Sequence, residues 1–403
     1  MMASSNRGRA EAVRRRRSAT VLASMAILLS SCSASTHAVQ RGPLAIPAAD
    51  MLTLQMFTSS EGVGVAFAAP PPLCHRNCAA GAPSRHRDYL VATSDSGATW
   101  RVSGALPADF NPGESYEVQV AFSSPDEGYV QSTEPPATLF TDDAGQRWSS
   151  LKTPGEPTDI SLAGPALWIV SDFCPKATTP TGLCPSRLLI YAPGHLTPSR
   201  ETPIPTEGNL AEQGISPGTR EAHLLVRLGP RSAVFAEGSE SSPSSLLFTG
   251  DSGLHWTVLS DPCDGISPTG LVAPTSTKWD LYCQLSGGMN QGRTRFYAST
   301  DRGKTWTLVA EGNVEGPSLG NIGVGMADDL TVSGDGRVLW LVGSVYGIKS
   351  STDGGRDWTT VPIQTDGYDS ELATAGPSSA WLPIPAIGLY HTTNGATWNL
   401  AAG

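Results

Sequence analysis

Ser299-Thr300-Asp301-Arg302-Gly303-Lys304-Thr305-Trp306 is an octapeptide built to turn a chain back on itself. A short carboxylate such as Asp301 accepts hydrogen bonds from backbone N–H groups a few residues on, and the Ser299 hydroxyl adds a second local bond. Gly303 takes a positive φ that a Cβ would penalise. Trp306 opens the outgoing strand with a large apolar face to bury between sheets. Four more segments repeat the pattern: Thr93 to Trp100 with Asp95 and Gly97, Thr141 to Trp148 with Asp143 and Gly145, Thr249 to Trp256 with Asp251 and Gly253, and Ser351 to Trp358 with Asp353 and Gly355. A sixth, His391 to Trp398, keeps Gly395 and Trp398 but has Thr393 at the Asp place.

Repetition at a fixed period marks a modular fold. The octapeptide tryptophans are 48, 108, 50, 52 and 40 residues apart, so the long gap spans two periods and one copy has lost its turn. The stretch from Leu188 to His195 fills that slot. A second recurrence precedes each turn: a short strand with a bulky or small apolar residue, occupied by Gly62-Val63-Gly64, Tyr129, Trp168, Phe235, Trp279, Trp340 and Trp381. All ten tryptophans thus fall in one of two repeat positions, which assigns them to core packing rather than to ligand stacking.

Seven units of about 51 residues match the four-stranded blade of a β-propeller. We therefore expect an all-β, seven-bladed propeller over residues 50–403, with antiparallel blades at about 50–110, 111–155, 156–215, 216–262, 263–315, 316–365 and 366–403. Strands A to D of the first blade fall near 52–57, 62–67, 89–93 and 99–104, and the octapeptides are C–D turns. Both chain ends complete whole blades, so the repeat by itself leaves the closure of the ring open.

At these turns the chain resembles the Asp-box (BNR-repeat) propellers, a group that takes in sialidases, xyloglucan-degrading glycosidases, the sortilin ectodomain and photosystem II assembly factors. The resemblance spans about 350 residues and implies an architecture much more strongly than an activity. It implies that the boxes lie at outer turns away from the ligand face and that Asp95, Asp143, Asp251, Asp301 and Asp353 serve the fold. A sialidase would further show an aromatic-Arg-Ile-Pro segment near its start; here the corresponding stretch reads Leu44-Ala45-Ile46-Pro47, without Arg.

Residues 1–31 read as an export signal: Arg14 to Arg17 form a basic region and Val21 to Ser30 an apolar one too short for a membrane span. Leu29-Ser30-Ser31-Cys32 is similar to a bacterial lipobox, which makes Cys32 the expected lipidation site and 32–49 a tether. Removing residues 1–31 takes away six Arg and one Glu, leaving −15 in place of −10. Such acidity argues against nucleic acid as a partner. The other six cysteines form neighbouring pairs in a chain bound for an oxidising compartment, and we expect the disulfides Cys74–Cys78, Cys174–Cys184 and Cys263–Cys283. Cys74, His75 and Cys78 lack a fourth metal donor, so no metal and no cofactor are expected.

If C–D turns occupy one face, A–B turns share it, and the B–C and D–A loops form the other. The long insertions belong to that second face. The loop from Ala68 to Asp88 carries His75, Arg76, Arg85, His86 and Arg87, and the loop from Phe173 to Ser186 carries Cys174 and Cys184. Cys263 falls in a D–A loop and Cys283 at the start of a B–C loop. Pinned loops on one face suggest a shaped binding surface. The expected function is a monomeric, lipid-anchored, extracytoplasmic module that binds a protein or glycan there without catalysis. The alternative is a glycoside hydrolase, which needs two converging carboxylates; the loops offer Asp172, Asp261, Asp264 and Glu315.

Overall fold

The computed structural model describes residues 45–47, 50–67, 88–110, 118–133, 136–173, 185–205, 222–239, 242–263, 267–284, 293–312, 318–323, 329–343, 347–363, 371–385 and 387–402. These form seven four-stranded antiparallel sheets arranged as a β-propeller. Strands A to D are Met51–Met56, Gly62–Phe67, Asp88–Thr93 and Trp100–Ala105 in blade 1, and Val118–Phe122, Gly128–Thr133, Pro136–Thr141 and Ser149–Ser150 in blade 2. Blade 3 has Glu156–Leu162, Leu167–Asp172, Ser186–Tyr191 and Arg200–Pro203, and blade 4 has Ala222–Arg227, Ala233–Ser239, Ser242–Thr249 and Thr257–Leu259. Blade 5 is Ser267–Val272, Trp279–Gln284, Thr294–Ser299 and Thr307–Gly312. Blade 6 is Asp329–Val332, Leu339–Gly343, Gly347–Ser351 and Thr359–Val361, and blade 7 is Ala373–Ala375, Ser379–Ile384, Gly388–Thr392 and Trp398–Ala402.

Strand A of each blade lines the axis and strand D lies outermost. An isolated blade has two apolar faces and must bury both against neighbours. The buried side chains accordingly fall into clusters at the blade junctions. One of them unites Leu52, Val63 and Leu90 of blade 1 with Val118, Phe122 and Val130 of blade 2. Another unites Val338, Trp340 and Ile348 of blade 6 with Leu372, Ala380 and Leu382 of blade 7.

Closure of the ring uses the same chemistry plus one extra strand. Ala45–Ile46, in the segment read as tether, pairs antiparallel with the outer strand of blade 1, Ile46 opposite Trp100. Ile46, Met51, Trp100 and Val91 share a cluster with Ala375, Trp381 and Leu389 of blade 7. The Trp381 indole N–H donates to the Ser96 carbonyl at 2.9 Å, stitching the last blade to the first.

Two aromatic positions differ from the expected slot. Trp168, Trp340 and Trp381 sit one residue into the B–C pairing, with Ile190, Ser350 and His391 opposite. In blade 5 that register belongs to Asp280, opposite Ala298, while Trp279 lies one residue earlier. In blade 4 it belongs to Val234, and Phe235 lies one residue later. A one-residue offset in a strand turns a side chain to the opposite face, so Trp279 packs toward blade 4 and Asp280 is buried on the other side.

Candidate functional site

The two ends of the propeller use their polar groups differently. At the turn end each octapeptide closes its own network. Asp301 accepts from the Thr305 amide at 2.9 Å and the Thr305 hydroxyl at 2.7 Å, and the Ser299 hydroxyl donates to it at 2.9 Å. The Gly303 amide returns to Ser299 Oγ at 2.8 Å. Asp95, Asp143 and Asp251 are held alike, with Thr99, Arg147 and His255 as second partners. Asp353 takes the amides of Arg356 and Asp357 instead. Hydrogen bonding from His255 and Thr305 depresses Asp251 and Asp301 to about 2. Charge-assisted bonds to a carboxylate favour its ionised form, which is why these groups stay charged.

The residue between Asp and Gly is also left-handed: Ser96, Ala144, Ser252 and Arg302 have φ of 63°, 56°, 64° and 66°. That conformation points each amide at the A–B turn of its own blade, with acceptors at Ser60, Asp126, Arg231 and Thr277. A–B and C–D turns therefore share one face. The sixth copy is a shortened box. Thr392, not His391, donates to Asn394 at 3.2 Å, and Asn394 accepts from Ala396 and Thr397 at 3.0 and 2.8 Å. Asn394 thus fills the carboxylate's role one residue closer to the glycine.

Box tryptophans cap the outer rim and are not uniformly core. Trp100 and Trp358 are buried, whereas Trp148, Trp256, Trp306 and Trp398 are partly open. Trp148 and Trp306 donate N–H to Ala105 and Ser260 of the preceding blade, each at 2.9 Å.

The opposite end holds the loops. Cys263 and Cys283 form a disulfide with Cα atoms 5.5 Å apart, both fully buried. Cys283 lies within strand B of blade 5, not in the following loop, so the bridge ties the blade 4–5 linker to the sheet itself. Asp261 accepts the Cys263 amide at 2.9 Å. Asp172 belongs to strand B of blade 3 and receives the Ser186 hydroxyl at 2.7 Å. Both carboxylates expected as free loop acids therefore hold local structure. Arg187 lies over the Phe173 ring at 4.4 Å and pairs with Glu201, while Arg293 and Arg295 converge on Glu311. The expected sites Cys32, Cys74, His75, Arg76, Cys78, Arg85, His86, Arg87, Cys174, Cys184, Asp264 and Glu315 lie outside the described residues.

The axis carries a group that no local motif announced. Strand A is an edge strand, and edge backbone groups need partners. Side chains of the preceding blade supply them. Gln55 bonds the Phe122 amide and carbonyl at 2.8 and 2.9 Å. Gln119 accepts the Ile160 amide at 3.2 Å, Asp159 the Leu225 amide at 2.7 Å, and Asp329 the Leu372 amide at 3.4 Å. Glu371, two residues before strand A of blade 7, is exposed to solvent at the loop end of that strand. Desolvation by the surrounding protein, followed by the charges of Asp329 and Asp159, raises it above the usual carboxylate range. These residues come from blades 3, 6 and 7. Asp329 and Glu371 stand at the D–A ends of their strands, so this acidic centre belongs to the loop end of the axis.

No family model matches the sequence, and no curated protein matches it. Solved structures do resemble it. YCF48 bound to a D1 peptide superposes with a TM-score of 0.50 at 17% identity, covering 86% of this chain and 94% of that one. Hydrazine synthase from Kuenenia stuttgartiensis gives 0.53 at 11% identity, over 89% and 99% of the two chains. Acylaminoacyl peptidase from Pyrococcus horikoshii gives 0.52 at 7% identity, over 89% of this chain and 53% of that one. At such identities the shared property is the propeller fold.

Proposed function

We propose that this chain is an exported, lipid-anchored binding or assembly module that takes a protein segment at its loop end. The observation behind this reading is the asymmetry between the two ends. The turn end consumes its carboxylates and hydroxyls in its own boxes, while the loop end carries a buried disulfide and the acids Asp329 and Glu371 at the starts of their strands A. A rigid scaffold that presents loops is the usual plan of a recognition protein. YCF48, solved bound to a D1 peptide, is a protein of similar fold that binds a peptide. Export and anchoring rest on the basic-apolar leader and on Cys32.

The test is capture from detergent-solubilised envelope. Phe67 pairs with Asp88, so replacing residues 68–87 by a two-residue turn leaves blade 1 intact. A partner retained by the full chain and lost by the short-loop form supports the reading; identical capture by both forms, or by neither, rejects it for this loop.

The glycosidase alternative keeps one specific support. A hydrolase needs an acid whose pKa is raised and a second carboxylate nearby, and Glu371 is raised with Asp329 and Asp159 among the causes. Release of fluorophore from a panel of aryl glycosides, abolished by Glu371→Gln, supports it; no release above the variant's background excludes it.

A further inference from the structure

The outer strands of the blades differ in length. Strand D has six residues in blades 1 and 5 and five in blade 7, against two to four in the others. The three long strands share one extra residue three positions after the box tryptophan: Ser103, Val309 and Ala401. They are therefore equivalent in register. An outer strand leaves one row of backbone N–H and C=O groups without a neighbour, and such a row accepts a chain that can pair with it. In blade 1 that chain is Ala45–Ile46, with Ile46 opposite Trp100 and Ala45 opposite Arg101. In blade 5 Leu319 exchanges two backbone bonds with Glu311, at 2.7 and 3.0 Å. In blade 7, among the described residues, nothing pairs with the outer edge of Trp398–Ala402.

The side chains follow the same division. Beside the added strand Trp100 is 1% exposed, and Val102 is half-buried against the same cluster. In blade 7 Trp398 is partly open, and Leu400, at the place of Val102, is 51% exposed. Natural edges are commonly protected by lysine, proline or other charged residues. Trp398–Ala402 has neither proline nor charge, and residues 372–403 hold no Asp, Glu, Lys or Arg in a chain of net charge −10. We propose that the outer strand of blade 7 is a second docking edge, which takes an extended, uncharged segment of a protein partner as a fifth, antiparallel strand. The chemistry of that segment follows from blade 1: a small residue and then a β-branched aliphatic one, set opposite Trp398 as Ile46 is set opposite Trp100. Main-chain bonds would supply affinity and the aliphatic contact with Trp398 and Leu400 selectivity. An edge without charges offers an acidic or basic segment no counter-charge. On blade 1 the added strand runs from the loop side toward the box, so a partner held at the loop end can reach this edge; the proposal does not depend on the loop-end reading.

Hydrogen exchange of the full chain in detergent tests the proposal, with the acetylated and amidated hexapeptide Gly-Pro-Leu-Ala-Ile-Pro, the sequence of residues 42–47, as probe. In the free chain the outward amides of Trp398–Ala402 should exchange quickly. The peptide should slow them roughly tenfold and leave Thr257–Leu259 of blade 4 unchanged. A peptide with Asp-Asp in place of Ala-Ile should give no protection. Leu400→Lys should weaken binding of the fluorescein-labelled peptide about fivefold without lowering the melting temperature. Val258→Lys, at the same place on a three-residue outer strand, should leave binding unchanged. Outward amides of Trp398–Ala402 already protected in the free chain, absence of peptide-induced protection, or binding indifferent to Leu400→Lys overturns the proposal. Protection that appears only on concentrating the chain, with a doubled mass in sedimentation that Leu400→Lys abolishes, assigns the edge to a second copy and overturns it as well. Capture that depends on the 68–87 loop, without peptide protection at blade 7, removes the docking edge alone. Protection without loop-dependent capture removes the loop-based reading alone.

Discussion

Gly355 sits at φ +86° with the Phe296 ring of blade 5 where its Cβ would go. Alanine there combines backbone strain with a collision in a packed junction, and chemical denaturation should show Gly355→Ala to be less stable by about 3 kcal/mol. The carboxylates predict a stability profile with two limbs. Asp251 and Asp301 lie near 2 in the fold, below their unfolded value, so their contribution is complete above about pH 4 and disappears as pH falls toward 2. Asp88 and Asp280 are pushed up by burial to about 6. Between about pH 4 and 6 the folded state therefore holds more protons than the unfolded one, and stability declines as pH rises. Melting temperatures should peak near pH 4–5 and drop on both sides; a maximum at pH 8 contradicts these assignments. Five boxes were legible because Ser or Thr, Asp, Gly and Trp recur at one spacing. The left-handed residue before the glycine was not, since Ser, Ala and Arg all occupy it. Asn394 was hidden by a one-residue deletion that kept Gly395 and Trp398 aligned while moving the acceptor.

At the scale of strands and linkers, covalent and apolar ties share the task of holding the loop end and the seam. Replacing both Cys263 and Cys283 by Ser reopens a tie across 20 residues of sequence and should lower stability by about 3 kcal/mol, as measured by urea titration against the oxidised parent. Ile46 seals the junction of blades 1 and 7 from a strand of two residues. Ile46→Ala should cost about 3 kcal/mol, and hydrogen exchange should rise first in Trp398–Ala402 and Trp100–Ala105 if that strand clasps the ring. Strands A to D of blade 1 were readable to within a residue from alternation and turns. The clasp was not, because a two-residue strand carries no periodicity. Aromatic slots were readable as positions but not as faces: Trp279 and Phe235 are each offset by one residue, and a bulky apolar side chain satisfies either face of a blade that is buried on both.

For the whole molecule, the repeat carries the architecture and ring closure brings the candidate loop-end residues to one axis. Asp159, Asp329 and Glu371 are separated by up to 212 residues of sequence and share no motif. They become neighbours only because blades 3, 6 and 7 face one axis, so reasoning from loops pointed instead to Asp172 and Asp261, whose oxygens are committed to Ser186 and Cys263. The face, by contrast, followed from strand order alone once the boxes were assigned to C–D turns. The central claim is that partners engage the loop end and leave the box end free. Photo-crosslinking residues placed one at a time at exposed positions test it directly: Pro205 and Leu319 for the loop end, Lys304 and Ala396 for the box end. Irradiation in the native envelope should yield adducts from Pro205 or Leu319 and none from Lys304 or Ala396; adducts confined to Lys304 and Ala396 would contradict the claim.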